Sequence, residues 1–362
     1  MGYRSRIIPA FVGPSGDHYG GGVETIQWIA DGPMRLSRSV NQIVSLASGV
    51  GGDVGSHFYV PLSTLPSLPP FIEWNDASLA AGGTTAISRS APTNPSFSLL
   101  TAVGELYVDG FSTPPGFDAW KEKTLRAKSA GSEYLNVEFG WKPLVSDIRS
   151  FCKTVEKSSY ILEAYRKKAN KDIRVGYSFP EEGQSSNSFG TQSAWMEENH
   201  SATATRDGYN ADSTTQFRRS WFEGTYQYPL PIGDSAFDRA SRWGKQANHL
   251  LGIFPTPSAI WQLAPWSWAI DWFTNMGDIV NNVSNMMVDG LVLKDGYMMS
   301  HARSMTQRSI TARSGNFSGS CSSYSLLESK KRDVASPFFG FGVSSDLTPR
   351  QIAILAALGI SR

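Results

Sequence analysis

Residues 140–170 read GWKPLVSDIRSFCKTVEKSSYILEAYRKKAN, a run whose apolar residues recur at helical spacing. Leu144, Ile148, Phe151, Val155, Leu162 and Tyr165 follow one another at three-, four- and seven-residue steps, which stacks them on one face. Pro143 suits a first turn, where its missing N–H costs nothing. The spacing predicts one helix over 140–170 with that face buried and Cys152 on it as a small core residue. Arg149, Lys153 and Lys157, four apart, form a second stripe on the same helix, and Arg166, Lys167, Lys168 and Lys171 gather at its end.

Working upstream, Phe117–Ala130 lacks proline and reads as another helix, carrying Lys121, Lys123, Arg126 and Lys128. Before it, residues 1–116 are rich in Gly, Pro, Ser and Thr. Short apolar runs there, Val23–Ile29, His57–Val60, Ser96–Val103 and Leu106–Val108, read as strands. The Pro-rich piece Pro61–Pro70 reads as a loop. Downstream, 173–228 and 291–335 again have strand texture. Ser235–Leu251 reads as a helix with Ser235 as N-cap, and Pro257–Val288 as a helix kinked at Pro265 and ended by Gly290. Leu347–Leu358 closes the chain as a short helix behind Asp346 or Thr348. Blocks of strands alternating with blocks of helices predict an α+β protein rather than a parallel α/β sheet. The β region comprises 1–116, 173–231 and 291–335. The helical region, a bundle of about four helices built from distant segments, comprises 117–172, 232–290 and 345–362.

The chain has 362 residues, 18% charged and 12% aromatic, with eleven Trp and a net charge of +1. That near-neutral total hides a segregated pattern. Residues 121–174 hold thirteen Lys/Arg against seven Asp/Glu, residues 301–333 six against two, and residues 39–120 one against six. Segregated charge is what a polyanionic partner requires. The stripe Arg149–Lys153–Lys157, with the cations at 121–128 and 166–168, is therefore a candidate phosphate-contacting surface. The plainer alternative is a solvated face whose last cations complement a helix dipole. Tyr160 and Tyr165 are open to either base stacking or the core.

Catalytic chemistry finds little footing. His18, His57, His200, His249 and His301 are scattered, so no helical metal pair exists. The glycines at 49, 51, 52 and 55 miss the third position of a dinucleotide fingerprint, where Val54 stands. No phosphate loop or nucleophile elbow is present. Asp271 and Asp278, seven apart, are expected in structural roles. Two cysteines, Cys152 and Cys321, make no disulfide framework, which suits assembly in a reducing cytoplasm. No apolar h-region follows Met-Gly-Tyr-Arg-Ser-Arg, so no signal peptide is expected. Leu250–Ile270 carries no charge over 21 residues. Pro255, Pro257 and Pro265 interrupt it, which favours a buried helix over a membrane span. The expectation is a protein without enzymatic activity, cofactor or metal.

Three segments carry a resemblance. They are Glu133–Ile148 (EYLNVEFGWKPLVSDI), Trp261–Phe273 (WQLAPWSWAIDWF) with Asn275, Gly277 and Asp278 beyond it, and the tail Leu347–Arg362 (LTPRQIAILAALGISR). Each resembles, in the right order, a signature of the maturation proteins of single-stranded RNA bacteriophages. Phe139, Trp141, Trp266, Trp268, Asp271 and Trp272 are the signature positions. The rings of Trp266, Trp268, Trp272 and Phe273 surround a helix and are expected at the centre of the bundle. The resemblance implies an elongated virion protein, one copy per particle, that takes the place of a coat-protein dimer. It implies a helical region facing the interior and the genomic RNA. It also implies a β region that binds a bacterial pilus or similar receptor and mediates genome entry. Some relatives additionally cause lysis, so a host-lysis or membrane-associated phage protein is the alternative.

Overall fold

The computed structural model describes residues 2–8, 11–12, 18–29, 32–45, 57–59, 73–99, 142–198, 201–264, 267–314, 317–343 and 347–354. The expected helix 117–130, with Lys121, Lys123, Arg126 and Lys128, lies outside these residues. So do Phe139, Trp141, Trp266, the side chain of Trp268, the loop 61–70 and the run 106–108.

The protein is α+β. In chain order it runs β1 (Gly2–Ile8), β2 (Phe11–Val12), β3 (His18–Trp28), β4 (Met34–Ser45), β5 (His57–Tyr59) and α1 (Asp76–Ser90). Then come α2 (Lys142–Glu156), α3 (Ser158–Lys168), β6 (Ile173–Ser178), β7 (Glu182–Glu198) and β8 (Ser201–Gln227). The chain continues with α4 (Ala236–Leu251), α5 (Pro257–Leu263), α6 (Ser267–Phe273), α7 (Met276–Met287), β9 (Val292–Ser314) and β10 (Phe317–Val334). It divides into two compact units. One comprises Met1–Leu79, Ser178–Phe222 and Tyr297–Val334, and the other Ala80–Tyr177, Glu223–Gly296 and Ala335–Arg362.

The strands form an antiparallel sheet in the order β1-β3-β4-β10-β9-β8-β7-β5, with β2 on β3 and β6 on β8, and most of it belongs to the first unit, whereas β6 up to Tyr177, the end of β8 and the start of β9 fall in the second. Burial along β9 alternates: Met298, Ser300, Ala302, Ser304 and Thr306 are buried while the residues between them are not. The buried face is unusually small and hydroxylated. Its side chains bond across strands, Ser220 to Ser300 at 3.3 Å and Thr214 to Thr306 at 3.0 Å. On the other face, Arg6, Glu24, Arg38, Glu328 and Arg303 stand directly opposite one another across five strands. Arg6–Glu24 is 3.7 Å and Arg38–Glu328 is 3.8 Å, and Glu328 also meets His301 at 2.9 Å. A one-residue slip would move every member of this row to the other face, so the row specifies register.

In the second unit, α4 follows the sequence reading: Ser235 accepts from the Asp238 N–H at 3.0 Å, and Gly252 ends the helix at φ +55. Gly290, at φ +69, likewise follows α7, where Leu291 N–H returns to the Asn285 carbonyl at 3.1 Å. Thr348 and Gln351 form a capping box at the head of the last helical turns, residues 349–354.

Several expectations are corrected. The single helix over 140–170 is two helices, divided at Lys157, whose backbone (φ −98, ψ 10) opens a turn just before Ser158 and Ser159. Both serines compete for local backbone bonds and disfavour helix continuation. Most of the described part of its apolar stripe is not buried: Ile148, Phe151 and Val155 are exposed, and so is Cys152, while Leu162 is half-buried. Among the described residues of the stripe, only Tyr165, further on, is core. The helix expected over 257–288 is three helices. Ala264, preceding Pro265, is extended (ψ 135), because a proline ring excludes the helical conformation from the residue before it. Of the four rings expected at the centre of the bundle, the described ones do not fill that place: Trp272 is half-buried and Phe273 is exposed, as are the neighbouring Ile260 and Ile270. Residues 76–90 belong to no strand but form α1, and 96–98 are turn rather than strand. The sequence of α1, DASLAAGGTTAISRS, has few large apolar residues to set a period. Its two large apolar residues, Leu79 and Ile87, are buried together with the small Thr84 and Ala86, all at 0–1% exposure.

No described helix is long and apolar enough to cross a membrane. The uncharged stretch 250–270 is split among the end of α4, α5 and the start of α6.

Candidate nucleic-acid interface

Residues 142–172 carry eight Lys/Arg against four Asp/Glu, all on or beside α2 and α3. Arg149 and Lys153 lie four apart on α2, and the stripe survives the break at Lys157. The Lys157 N–H reaches the Lys153 carbonyl at 3.1 Å, and Ile161 N–H reaches the Lys157 carbonyl at 3.0 Å. Arg149, Lys153 and Lys157 are exposed, and none of their side chains has an ion-pair or hydrogen-bond partner among the described residues. Among the described residues, nothing offsets their charge, which is presented to solvent.

The cluster at the end of α3 is less uniform. Arg166 donates to Gln246 on α4 at 2.9 Å, and Lys167 pairs with Glu163 one turn back at 2.7 Å. Lys168 is exposed, its side chain without a partner among the described residues. The cations of α3 thus serve partly to complete the helix, as the plainer reading has it, whereas the α2 stripe does not.

The two tyrosines part company. Tyr160 is 74% exposed, three residues beyond Lys157 and so one turn along from it. Tyr165 is buried, stacked between Tyr228 at 4.7 Å and His249 at 4.2 Å, and its backbone carbonyl accepts from the Tyr228 hydroxyl at 2.7 Å. Burial raises its phenol well above the ordinary range. It anchors α3 to the second unit and is unavailable to a base. What reaches solvent is a row of three cations followed by one aromatic ring. Cations suit phosphate oxygens, and an exposed ring suits an unpaired base.

Asp271 and Asp278 lie on separate helices rather than one face. Asp271 accepts from the Gly277 N–H at 2.8 Å and from the Trp261 indole at 3.1 Å, tying α5, α6 and the head of α7 together. Burial pushes the Asp278 carboxyl up, against bonds from Thr85 and Ser88 and the charge of Arg89. Among the described residues, no group of three His, Cys, Asp or Glu could hold a metal ion.

The second unit also holds a short segment that the sequence reading passed over, residues 336–343 (SPFFGFGV), strapped along α1 and α7. Its signal was present: no charge, and glycines at alternate positions 340 and 342.

No family model matches the chain, and no curated protein matches it either.

Proposed function

We propose that this chain is a non-enzymatic virion protein of a single-stranded RNA bacteriophage, of the maturation type, holding genomic RNA and carrying it to a bacterial receptor. The observation that carries the reading is the solvent-facing stripe Arg149–Lys153–Lys157 with Tyr160 beyond it. It is joined by the resemblance of residues 133–148, 261–273 and 347–362 to that family. On this reading the helices of the second unit form the RNA-facing bundle in the particle interior. The protein takes the place of a coat-protein dimer, and the sheet of the first unit meets a pilus-type receptor. Support for the last part is an exposed aromatic pair: Phe189 (84%) and Tyr209 (75%) share one face of the β7–β8 hairpin. Large apolar rings left in water on a sheet face mark interaction surfaces more often than chance.

Phosphate contacts supply affinity and salt dependence, while RNA shape and unpaired bases supply specificity. The test is RNA binding by the purified chain across a salt series. With Arg149, Lys153 and Lys157 all replaced by Glu, affinity falls, and the slope of log K against log salt flattens by about 0.7–0.9 for each phosphate that is no longer neutralised. An unchanged slope at full affinity removes the stripe from the interface. Failure of the unsubstituted chain to bind structured phage RNA removes the whole reading.

A further inference from the structure

Residues 185–191 of β7 pair with 209–215 of β8, and the odd-numbered side chains share one face. On it Asn187 stands opposite Ser213, Phe189 opposite Ala211 and Thr191 opposite Tyr209. Phe189 is 84% and Tyr209 75% exposed, and Asn187, Thr191 and Ser213 are exposed with them. No residue on this face is charged. Asp212, the one charged residue in the two stretches, turns to the other face and is held there by Arg308 at 2.7 Å and 2.6 Å. The next strand, β9, continues the pattern. Thr214 bonds to Thr306 and Asp212 to Arg308, so Gln307 comes beside Ser213, again exposed and uncharged. Among the described residues, the side chains of Asn187, Thr191, Ser213 and Gln307 have no hydrogen-bond partner.

Two kinds of group therefore meet water side by side. The rings offer broad faces that carry the negative part of a quadrupole, and the hydroxyls and amides offer donors and acceptors without charge. Phe189 and Tyr209 are diagonal neighbours, a placement that sets them about 7–8 Å apart. Each can take its own unit of a chain instead of closing on a single one. Ala211, opposite Phe189, leaves the flank of that ring open.

We propose that this face is a platform for a neutral carbohydrate, a chain of sugars carried on the protein receptor, which rests on the attachment function proposed above. A sugar ring has a face of C–H groups whose slightly positive hydrogens suit the negative face of an aromatic ring. Its rim of hydroxyls needs donors and acceptors wherever it leaves water. The sheet face supplies both, in adjacent positions. RNA would find no cation here and gain no counterion release. A protein surface held by apolar burial would find on the order of 300 Å² in the two rings. A stable protein pair buries about 800 Å² on each partner. Sugar binding to so open a face is weak, and a filament that repeats the sugar many times raises the avidity.

The test measures adsorption of the purified full chain to host cells. The cells are first treated with mild periodate, which opens sugar rings at vicinal diols, or with protease. Each treatment is expected to lower adsorption about tenfold or more, because the sugar sits on a protein. Loss with protease alone would mean that the face meets bare protein: the carbohydrate is wrong and the attachment function stands. Loss with periodate alone would place the sugar off the protein and overturn the proposal as stated. If the chain adsorbs to no untreated cell, the attachment function itself is wrong. In parallel, Phe189→Ala with Tyr209→Ala is expected to lower adsorption by a similar factor while leaving RNA affinity unchanged. Phe189→Trp, which keeps a flat ring, is expected to adsorb normally, and Phe189→Leu, equally apolar without a ring face, to fail. Full adsorption by the Leu variant would show that any apolar side chain suffices, and stacking on sugar would fall.

Discussion

The ring of Tyr165 on α3 lies against the imidazole of His249 on α4, centroids 4.2 Å apart and planes 19° apart. Tyr228 closes the other side of the Tyr165 ring. This stack fixes the end of the basic helices to the body of the second unit. Replacing Tyr165 by Ala removes a buried aromatic and is expected to cost about 3–5 kcal/mol. Denaturant unfolding followed by circular dichroism measures it. A loss under about 1 kcal/mol would mean that the stack does not hold α3.

Beside the stack sits Asp289, whose carboxyl burial pushes up to about 6, against the charge of Lys245 and a bond from Asn248. A raised carboxyl stabilises the fold at pH below the ordinary carboxylate range, and that stabilisation is lost as pH rises through about 6. His249 has the opposite sign. Burial lowers it, helped by the charge of Lys168 and opposed by a bond to the Thr93 carbonyl. Its contribution is present above the ordinary imidazole value and is lost as pH falls. Asp289→Asn is therefore expected to stabilise the protein at pH 7.5, by at most about 3 kcal/mol, and to give no gain at pH 4. Unfolding curves at the two pH values decide. An equal effect at both would show that the substitution acts through packing and not through charge.

Arg308 on β9 and Asp212 on β8 form a two-point pair, at 2.7 Å and 2.6 Å, with both side chains mostly buried. Removing one partner strands the other. Arg308→Met is expected to cost about 3 kcal/mol, and Arg308→Lys to recover only part of it, since an ammonium cannot reproduce the fork. Full recovery by Lys would reduce the pair to a simple charge contact.

Gly252 ends α4 in the left-handed region, and a Cβ there would press on the Phe97 carbonyl oxygen at 2.7 Å and the Ser98 Cα at 2.9 Å. Gly252→Ala is expected to destabilise by about 1–3 kcal/mol through backbone strain and this contact. A neutral or stabilising result, measured as a melting temperature, would show that the turn can relax.

Asp271 joins three helices through the Gly277 N–H and the Trp261 indole. Asp271→Ala leaves both donors without their acceptor, at an expected cost of about 1–2 kcal/mol. The indole N–H resonance of Trp261 in the NMR spectrum should shift as its acceptor is lost. An unchanged spectrum with unchanged stability would make the carboxylate dispensable.

Local chemistry is legible in the residues alone. Ser235 and Gly290 act where their conformational preferences place them, because caps depend on neighbours a few residues away. Strand texture over 173–228 and 291–335 is readable from alternation, and α1 is not, because Ala, Gly and Thr set no period. In the candidate interface, the spacing of Arg149, Lys153 and Lys157 places them on one stripe. It does not reveal that Tyr165 is locked in a stack while Tyr160 stands free, since the rings differ only in what folds against them.

By itself, then, the sequence determined the α+β class, the position of the caps and the stripe of cations, all consequences of spacing and short-range bonds. Only the tertiary structure decided which faces meet water. It left Ile148, Phe151 and Val155 exposed on a helix whose periodicity promised burial. It brought Arg6, Glu24, Arg38 and Glu328, from opposite ends of the chain, into one row. It also turned Phe338, Phe339 and Phe341 of the segment 336–343 outward. Burial is a property of what packs on a face, and hydrogen bonds from the distant Asn275 and Asn282 can outweigh the preference of an apolar side chain for the interior.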